Sequence, residues 1–396
     1  MAFEPASHEQ LTEAVWDERY VCEAIRRIAA DAESAFDEDA LWPPHPRDEL
    51  DGFERLKSLY FGASGVIWGL DQLTRSDIVT SKRDWSAVAS RLVDLYAADP
   101  DGGKLLGGAV PSLWMGEAGI VLVAHRLSPI VAHEQLLLSA VRRNIDNPTW
   151  ELMWGSPGTM LAAQIMYERT ADEAWAEVWR DCAARLWDEW HDDLWQQDLY
   201  GAKVHILGPA HGFVGNVWVL ARGGLLDPER RSRLEQRTVE AIAKYAQRED
   251  GLAQWPMSLE PRPGRSPDIR TQWCHGAPGI VASLAGLAPQ NDRFTELLIA
   301  GGELTWRAGP LVKGAGLCHG TAGNGYSFLK LFERTGDERW LDRARRFAMH
   351  AIDQVEGARR AYGVGRHTLW TGDIGTALYL LSCCTADPSF PTLDHF

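Results

Sequence analysis

One short pattern, Gly-x-x-Gly followed by apolar residues, occurs seven times in this chain of 396 residues. Successive copies begin 54, 39, 57, 64, 44 and 52 residues apart, by subtraction of their start positions. A single match would carry no weight, but seven copies that each open an apolar, helix-like run define an internal repeat. The first glycines of the copies are Gly62, Gly116, Gly155, Gly212, Gly276, Gly320 and Gly372.

Amphipathic segments lie between these apolar runs, with apolar residues at three- and four-residue spacing and charges on the other face. An alternation of buried and amphipathic helices fits either an open solenoid or a closed double ring. In either case we predict an all-α chain that forms a single domain over 1–396, with its core at about 20–385. Clear amphipathic segments are 83–98, 171–190, 229–247 and 337–355.

In such a ring the glycines fall at the N-termini of the inner helices. Glycine there permits a positive φ and close approach of the backbone. The helix ends would cluster at one end of the toroid, with free N–H groups directed toward it. The side chains just before each glycine would line a common basin, while the proline-rich stretches 41–52 and 257–270 are expected to be loops.

Composition narrows the class of function. The formal net charge is −15 and the pI about 5.3, which is unsuited to non-specific binding of nucleic acid. No apolar run approaches the length of a membrane span, and the first residues, MAFEPASHEQ, do not resemble a signal peptide. We expect a soluble cytoplasmic protein whose six cysteines are reduced or bind metal.

The residues just before the glycines are not random. Histidine occupies the same position in three consecutive repeats, as His211, His275 and His319, and cysteine precedes two of them, as Cys274 and Cys318. Two thiolates and one imidazole suit Zn²⁺, and three protein ligands leave the open position that is typical of a catalytic site. The zinc hypothesis takes Cys274, Cys318 and His319 as ligands.

Spacing alone leaves alternatives open. His275 follows Cys274 as His319 follows Cys318, so either imidazole could bind the metal. A Cys–His pair could also act as nucleophile and base, although adjacent side chains rarely point at each other. His211 follows Ala210 and could transfer a proton, bind the metal as a fourth ligand, or make a structural hydrogen bond.

The motifs PAHGFVG (209–215), WCHGAPG (273–279) and GLCHGTAGNGYSFL (316–329), with the sevenfold glycine pattern, resemble the lanthionine synthetase C-like family. The resemblance runs from about residue 20 to 385. It implies an α/α toroid, a closed double ring of seven inner and seven outer helices, and this is the fold that we predict. It also implies one Zn²⁺ held by Cys274, Cys318 and His319. The chemistry it implies is addition of a thiolate to dehydroalanine or dehydrobutyrine, which gives a thioether.

The resemblance also implies roles for residues outside the metal site. His211 is similar to the family's acid–base residue, and Glu151 stands where the peptide cyclases tend to have a functional aspartate. Lys313 is placed as in members that bind glutathione, Arg366 could meet a carboxylate, and Arg270 resembles an arginine of the cyclases. For Lys313, Arg270 and Arg366 the alternative is a solvated surface charge.

These features favour a stand-alone LanC-like protein that adds glutathione or a peptide cysteine to a dehydrated peptide. The alternative is a lanthipeptide cyclase, which would work with a dehydratase partner. A third hypothesis is a non-catalytic protein that binds glutathione or a peptide. A fourth is another kind of zinc-dependent ring enzyme, such as a prenyltransferase subunit, but the WCHG/LCHG pair argues against it.

Overall fold

The computed structural model describes residues 3–48, 55–260, 269–287 and 291–396. Helices dominate these residues, and short strands occur only in two hairpins among them. None of the described helices is both long and apolar enough to cross a membrane. The predicted loops 41–52 and 257–270 lie partly outside the described residues, and their described parts are not helical.

Each of the seven glycine motifs opens a buried helix, as the repeat predicts. The first glycine is the N-cap residue in every case, and the second lies inside the first turn. In the fourth inner helix, for example, every residue from Phe213 to Leu220 is buried. The inner helices are α2 (Ala63–Arg75), α5 (Glu117–Leu127), α7 (Ser156–Thr170), α9 (Phe213–Ala221), α11 (Ala277–Leu284), α13 (Thr321–Thr335) and α15 (Asp373–Thr385).

The outer helices bury one face only. Five of them begin at an aspartate or asparagine whose side chain accepts a hydrogen bond from a first-turn N–H, which stabilises an exposed helix end. A four-residue helix, α4 (Gly103–Leu106), and a 3₁₀ turn (Pro5–Ser7) stand apart from the two sets. The outer helices are α1 (Glu18–Ser34), α3 (Ser86–Ala98), α6 (Val131–Asn144), α8 (Glu173–Asp188), α10 (Pro228–Tyr245), α12 (Asp292–Ala308) and α14 (Glu338–Tyr362).

The contacts between helices close into a ring. Each inner helix contacts the next along the chain, from α2 through α5, α7, α9, α11 and α13 to α15, and α15 returns to contact α2. The outer helices pack around this ring, for example α12 against α11 and α13, and α1 against α15 and α2. The prediction of a closed all-α toroid with seven inner and seven outer helices is therefore confirmed.

Close backbone approach explains why glycine occupies the second position of all seven motifs. A Cβ atom there would lie 1.7–2.2 Å from the carbonyl oxygen of the residue six positions earlier, far inside contact distance. Positive φ matters less than the sequence suggested. Of the seven first glycines only Gly276 has a positive φ, at 104°, whereas the others are extended.

Gly279 offers a direct test of this tight turn. A Cβ at this position would lie 1.7 Å from the carbonyl oxygen of Trp273, so the backbone beside Cys274 must move. We expect Gly279→Ala to lower the free energy of unfolding by more than about 3 kcal/mol, measured by denaturant titration. Gly357→Ala is the control, because Gly357 lies within α14 with its nearest neighbour 3.9 Å away. That control should be neutral or stabilising by about 0.5–1 kcal/mol, and equal losses would contradict the explanation.

The first N–H group of six inner helices is not free, which corrects the expectation from sequence. In five of the seven, the first helical N–H donates to the carbonyl seven residues earlier, at 2.6–3.0 Å. In α11 the N–H of Ala277 donates instead to Oε1 of Gln254, at 2.8 Å. The preceding loop therefore satisfies the first N–H of five helices, and a side chain of the preceding hairpin satisfies that of α11. The five donors are Ala63, Glu117, Phe213, Thr321 and Asp373.

Two hairpins precede inner helices α9 and α11. Strand β1 (Gln197–Leu199) pairs with β2 (Ala202–Val204), and β3 (Gln247–Glu249) pairs with β4 (Leu252–Gln254). Both turn residues of each hairpin have positive φ, as in a type I′ turn. The Asp-Gly pair at 250–251 carries this signal in the sequence, whereas Tyr-Gly at 200–201 does not.

Candidate functional site

The loops before the inner helices are joined by backbone hydrogen bonds at one equivalent position, two residues before the first glycine. We call it position −2, and the next residue position −1. The N–H at position −2 of one repeat donates to the carbonyl at position −2 of a neighbouring repeat, at 2.9–3.3 Å. The series runs from Cys274 to Cys318, then to Trp370, Tyr60 and Trp114. The two cysteines are therefore neighbours because the repeat places them in register.

Large aromatic side chains fill the space around this series. The ring centroids of Trp370 lie 4.4 Å from Trp114 and 5.0 Å from Trp273, and all three residues are fully buried. Phe390, near the C-terminal end, stacks on Trp273 at 5.0 Å. The centre of the toroid is thus a packed aromatic core, on which the residues at positions −2 and −1 are held.

Cys274, Cys318 and His319 form a cluster whose Sγ and imidazole nitrogen atoms all lie within 4.8 Å of one another. Both cysteines are buried, with 5% and 4% of their surface exposed, and His319 is half-buried. Soft sulfur and imidazole donors at this separation fit Zn²⁺, and three of them leave a position for a further ligand. The residues present therefore suit the metal that the sequence predicted.

The two thiols have opposite acidities. Burial acts to raise the pKa of Cys274, but a hydrogen bond with Cys318 and the neighbouring imidazoles of His275 and His319 outweigh it and lower the pKa well below its usual value. Burial raises the pKa of Cys318, and the neighbouring Cys274 raises it further. One of the two sulfurs thus carries negative charge readily, as a metal ligand must.

His275, left open as a ligand by the sequence, is not part of this cluster. Its ring stacks on that of His211 instead, with centroids 5.9 Å apart and planes at 22°. The imidazole of His319 also hydrogen-bonds Cys274, in the other repeat. This contact between repeats fits shared ligation better than a nucleophile–base pair of neighbouring residues.

His211 is held by Glu151. Imidazole Nδ1 lies 2.9 Å from carboxylate Oε2, and the Glu151 side chain is fully buried. The carboxylate also accepts the N–H groups of Met153, Trp154 and Gly155, at 2.6–3.2 Å, which fix its position. A buried carboxylate on Nδ1 fixes the orientation of the ring and leaves Nε2 as the atom that can exchange a proton with a substrate.

Two residues that the sequence analysis did not single out contact the cysteine sulfurs. The side-chain amide of Gln272 donates to Sγ of Cys274 at 2.9 Å, and its oxygen accepts from Nζ of Lys313 at 3.2 Å. The hydroxyl of Tyr60 hydrogen-bonds Cys318. Tyr60 shares position −2 with the cysteines, so the register could have identified it. Nothing in the pattern marks Gln272.

The predicted cations differ in their surroundings. Lys313 is exposed, yet it reaches the cluster through Gln272, and its charge acts on Cys318. Arg366 does meet a carboxylate, but it is that of Asp48, which both its Nε and its Nη2 contact. Arg270 is half-buried, and its backbone carbonyl packs against Gly276.

Comparison with known proteins agrees with this architecture. A family model described as lanthionine synthetase C-like protein matches residues 54–394, which is most of the chain. The chain belongs to the lanthionine synthetase C-like family. The family resemblance carried by the WCHG, LCHG and AHG motifs is thereby confirmed.

Curated relatives within the LanC-like family match part of the chain. Glutathione S-transferase LANCL1 of Danio rerio is 34% identical over 188 residues, 47% of this chain and 41% of that protein. LanC-like protein GCL1 of Arabidopsis thaliana is 34% identical over 155 residues, 38% of this chain and 33% of that protein. The match therefore spans less than half the length of either relative.

Among solved structures, nisin cyclase superposes with a TM-score of 0.56 at 18% identity, covering 92% of this chain and 99% of that one. The superposition shows that the two proteins share a fold. An identity of 18% carries no conclusion about the substrate.

Proposed function

We propose that this protein is an enzyme that adds a thiol to a dehydroalanine or dehydrobutyrine residue and so forms a thioether. The observation that carries the proposal is the proximity of two groups in neighbouring repeats. A Cys₂His cluster suited to Zn²⁺ and a carboxylate-held imidazole are linked by His275, which follows Cys274 in the chain and stacks on His211.

Zn²⁺ held by Cys274, Cys318 and His319 would lower the pKa of a coordinated substrate thiol and keep it as thiolate at neutral pH. The residues around the cluster favour negative charge there. The amide nitrogen of Gln272 donates a hydrogen bond to Cys274, and its amide oxygen accepts one from the ammonium of Lys313.

The reaction balances without an oxidant or a reductant. The thiolate sulfur forms a bond to the β-carbon of the dehydroamino acid, and the π electrons of the C=C bond move toward the carbonyl oxygen. A proton then enters at the α-carbon and restores the carbonyl. The net change is addition of S–H across the double bond.

His211 is the proposed donor of that proton. Glu151 holds Nδ1 and fixes the orientation of the ring, which leaves Nε2 to deliver a proton to the α-carbon. The thiol's own proton, released on binding, restores the balance through solvent. Arg270, half-buried beside the basin, is proposed to assist as the resemblance implied.

Glutathione is the thiol that we favour. The support is the name of the relative in Danio rerio, a glutathione S-transferase, together with Lys313, which lies beside the cluster and could bind a glutathione carboxylate. Arg366 could bind a glutathione carboxylate only if its ion pair with Asp48 were broken. A peptide cysteine, with a dehydratase as partner, is the alternative, and the superposition on nisin cyclase is compatible with it.

The decisive experiment incubates the zinc-loaded protein with a dehydroalanine peptide and either glutathione or a cysteine-containing peptide. We expect the acceptor's mass to rise by that of the thiol, faster than in buffer at the same pH, and faster with glutathione. A higher rate with the cysteine peptide would favour the cyclase. Tight glutathione binding with no addition above buffer would favour the non-catalytic binding protein.

A further inference from the structure

An exposed aromatic side chain stands beside the proposed proton donor. Tyr200, in the turn of the β1–β2 hairpin, exposes 74% of its surface. Its ring meets that of His211 edge to face, with centroids 5.9 Å apart and planes at 74°. Its hydroxyl accepts a hydrogen bond from Nε1 of Trp154 at 3.0 Å. An exposed tyrosine fixed at both its ring and its hydroxyl presents a rigid apolar face to solvent.

The backbone below Tyr200 is also fixed. Tyr200 and Gly201 have φ values of 53° and 77°, a conformation that a tyrosine adopts only at some cost. The hairpin is anchored by the buried side chain of Gln197, which bonds the N–H of Ile206 at 2.9 Å and the carbonyl of Trp195 at 3.0 Å. The fixed backbone therefore restricts the positions that the ring of Tyr200 can occupy.

Tyr200 is linked to the carboxylate that holds the proposed proton donor. The N–H of Trp154 donates to Oε1 of Glu151 at 2.6 Å, and Nε1 of Trp154 donates to the hydroxyl of Tyr200. Nδ1 of His211 contacts Oε2 of the same carboxylate, and the ring of His211 meets that of Tyr200. Tyr200 and Trp154 therefore lie with the proposed proton donor around one buried carboxylate.

The chemistry of the proposed addition, on which this inference rests, indicates which substrate passes here. Sulfur joins the β-carbon, but the proton enters at the α-carbon, and the α-carbon belongs to the peptide main chain. The residue that delivers the proton thus marks the path of the acceptor peptide. Tyr200 contacts His211 directly, and Trp154 is joined to both through the hydroxyl of Tyr200 and the carboxylate of Glu151.

We propose that Tyr200 and Trp154 form a subsite for the acceptor peptide, in which they pack against an apolar or aromatic side chain adjacent to the dehydroamino acid. Aromatic pairs of this kind favour a flanking phenylalanine over glycine. The subsite therefore determines specificity for the acceptor and not for the thiol.

The test uses N-acetylated tripeptide amides with dehydroalanine at the centre and phenylalanine or glycine on either side, with glutathione as the thiol. We expect Tyr200→Ala to raise the KM of the phenylalanine peptides by about 3- to 10-fold. The preference over the glycine peptide should disappear, while the KM of glutathione and the zinc content stay unchanged. Tyr200→Phe keeps the ring and should keep the preference. Val131→Ala, at an exposed position on α6, is the surface control.

Unchanged preference in Tyr200→Ala, or a rise in the KM of glutathione alone, would overturn the subsite. If the wild-type protein adds no thiol, the proposed function fails, and the subsite is then tested by binding alone. For this purpose the same peptides carry a fluorescent label. Fluorescence anisotropy should show that the phenylalanine peptides bind more weakly to Tyr200→Ala than to the wild type. Equal affinity for both proteins would reject the subsite independently of the reaction.

Discussion

Replacing Cys318 by alanine should leave the purified protein with less than about a tenth of the zinc bound by the wild type, because loss of one ligand from a three-ligand site removes most of its affinity. The measurement is zinc per chain by mass spectrometry of the metal after dialysis. The wild type should carry about one ion per chain. Circular dichroism should show unchanged helix content, since alanine keeps the backbone hydrogen bonds of Cys318 with Trp370 and Cys274, and the large buried core is otherwise unaltered.

Cys182→Ala is the matched control for this experiment. Cys182 is as buried as Cys318 but lies in outer helix α8 and is not part of the cluster of Cys274, Cys318 and His319. Its replacement should leave the zinc content unchanged. Equal zinc in the wild type and in Cys318→Ala would exclude Cys318 as a ligand. Absence of zinc from the wild type would favour the non-catalytic binding protein.

Replacing His211 by alanine should lower kcat for thiol addition by about 10²–10⁴-fold while the zinc content is retained. The reason is that the α-carbon would then take its proton from water and not from a positioned imidazolium. Glu151→Gln should lower kcat in the same direction, because the imidazole loses the carboxylate that fixes its orientation. The measurement is steady-state kinetics with a dehydroalanine peptide and glutathione.

A second histidine–glutamate pair provides the control. Nδ1 of His205 lies 2.5 Å from Oε1 of Glu260. His205 precedes His211 by six residues in the same loop, but it does not occupy position −1. We expect His205→Ala to leave kcat nearly unchanged. Partial recovery of His211→Ala by added imidazole would show that a missing proton donor causes the loss. A similar loss of kcat in both variants would point to disruption of the loop and not of the chemistry.

Most of the architecture could be predicted because two independent signals agree. The glycines mark where inner helices begin, and the charge pattern of segments such as 337–355 marks the outer helices. Their alternation leaves few compact solutions. The ring could be chosen over a solenoid only through the family resemblance, and the contact of α15 with α2 now supports that choice.

The details that sequence could not supply depend on contacts between repeats. His275 and His319 both occupy position −1, so the sequence does not distinguish them. The structure does, because the ring of His275 stacks on His211 whereas that of His319 hydrogen-bonds Cys274. Gln272 carries no motif, because its role depends on a sulfur and an ammonium from different loops. The occupied N–H groups could not be foreseen either, since their acceptors lie seven residues back in irregular backbone.

The contact of the first outer helix with the last inner helix has a mechanical consequence. Because α1 packs on α15 and α15 on α2, every inner helix has a neighbour on each side, and the array has no terminal unit to fray. Open helical arrays gain stability unit by unit and can melt from an end. Here the removal of either end of the chain would break the circuit and leave two unprotected edges. We therefore expect the toroid to unfold as one cooperative unit.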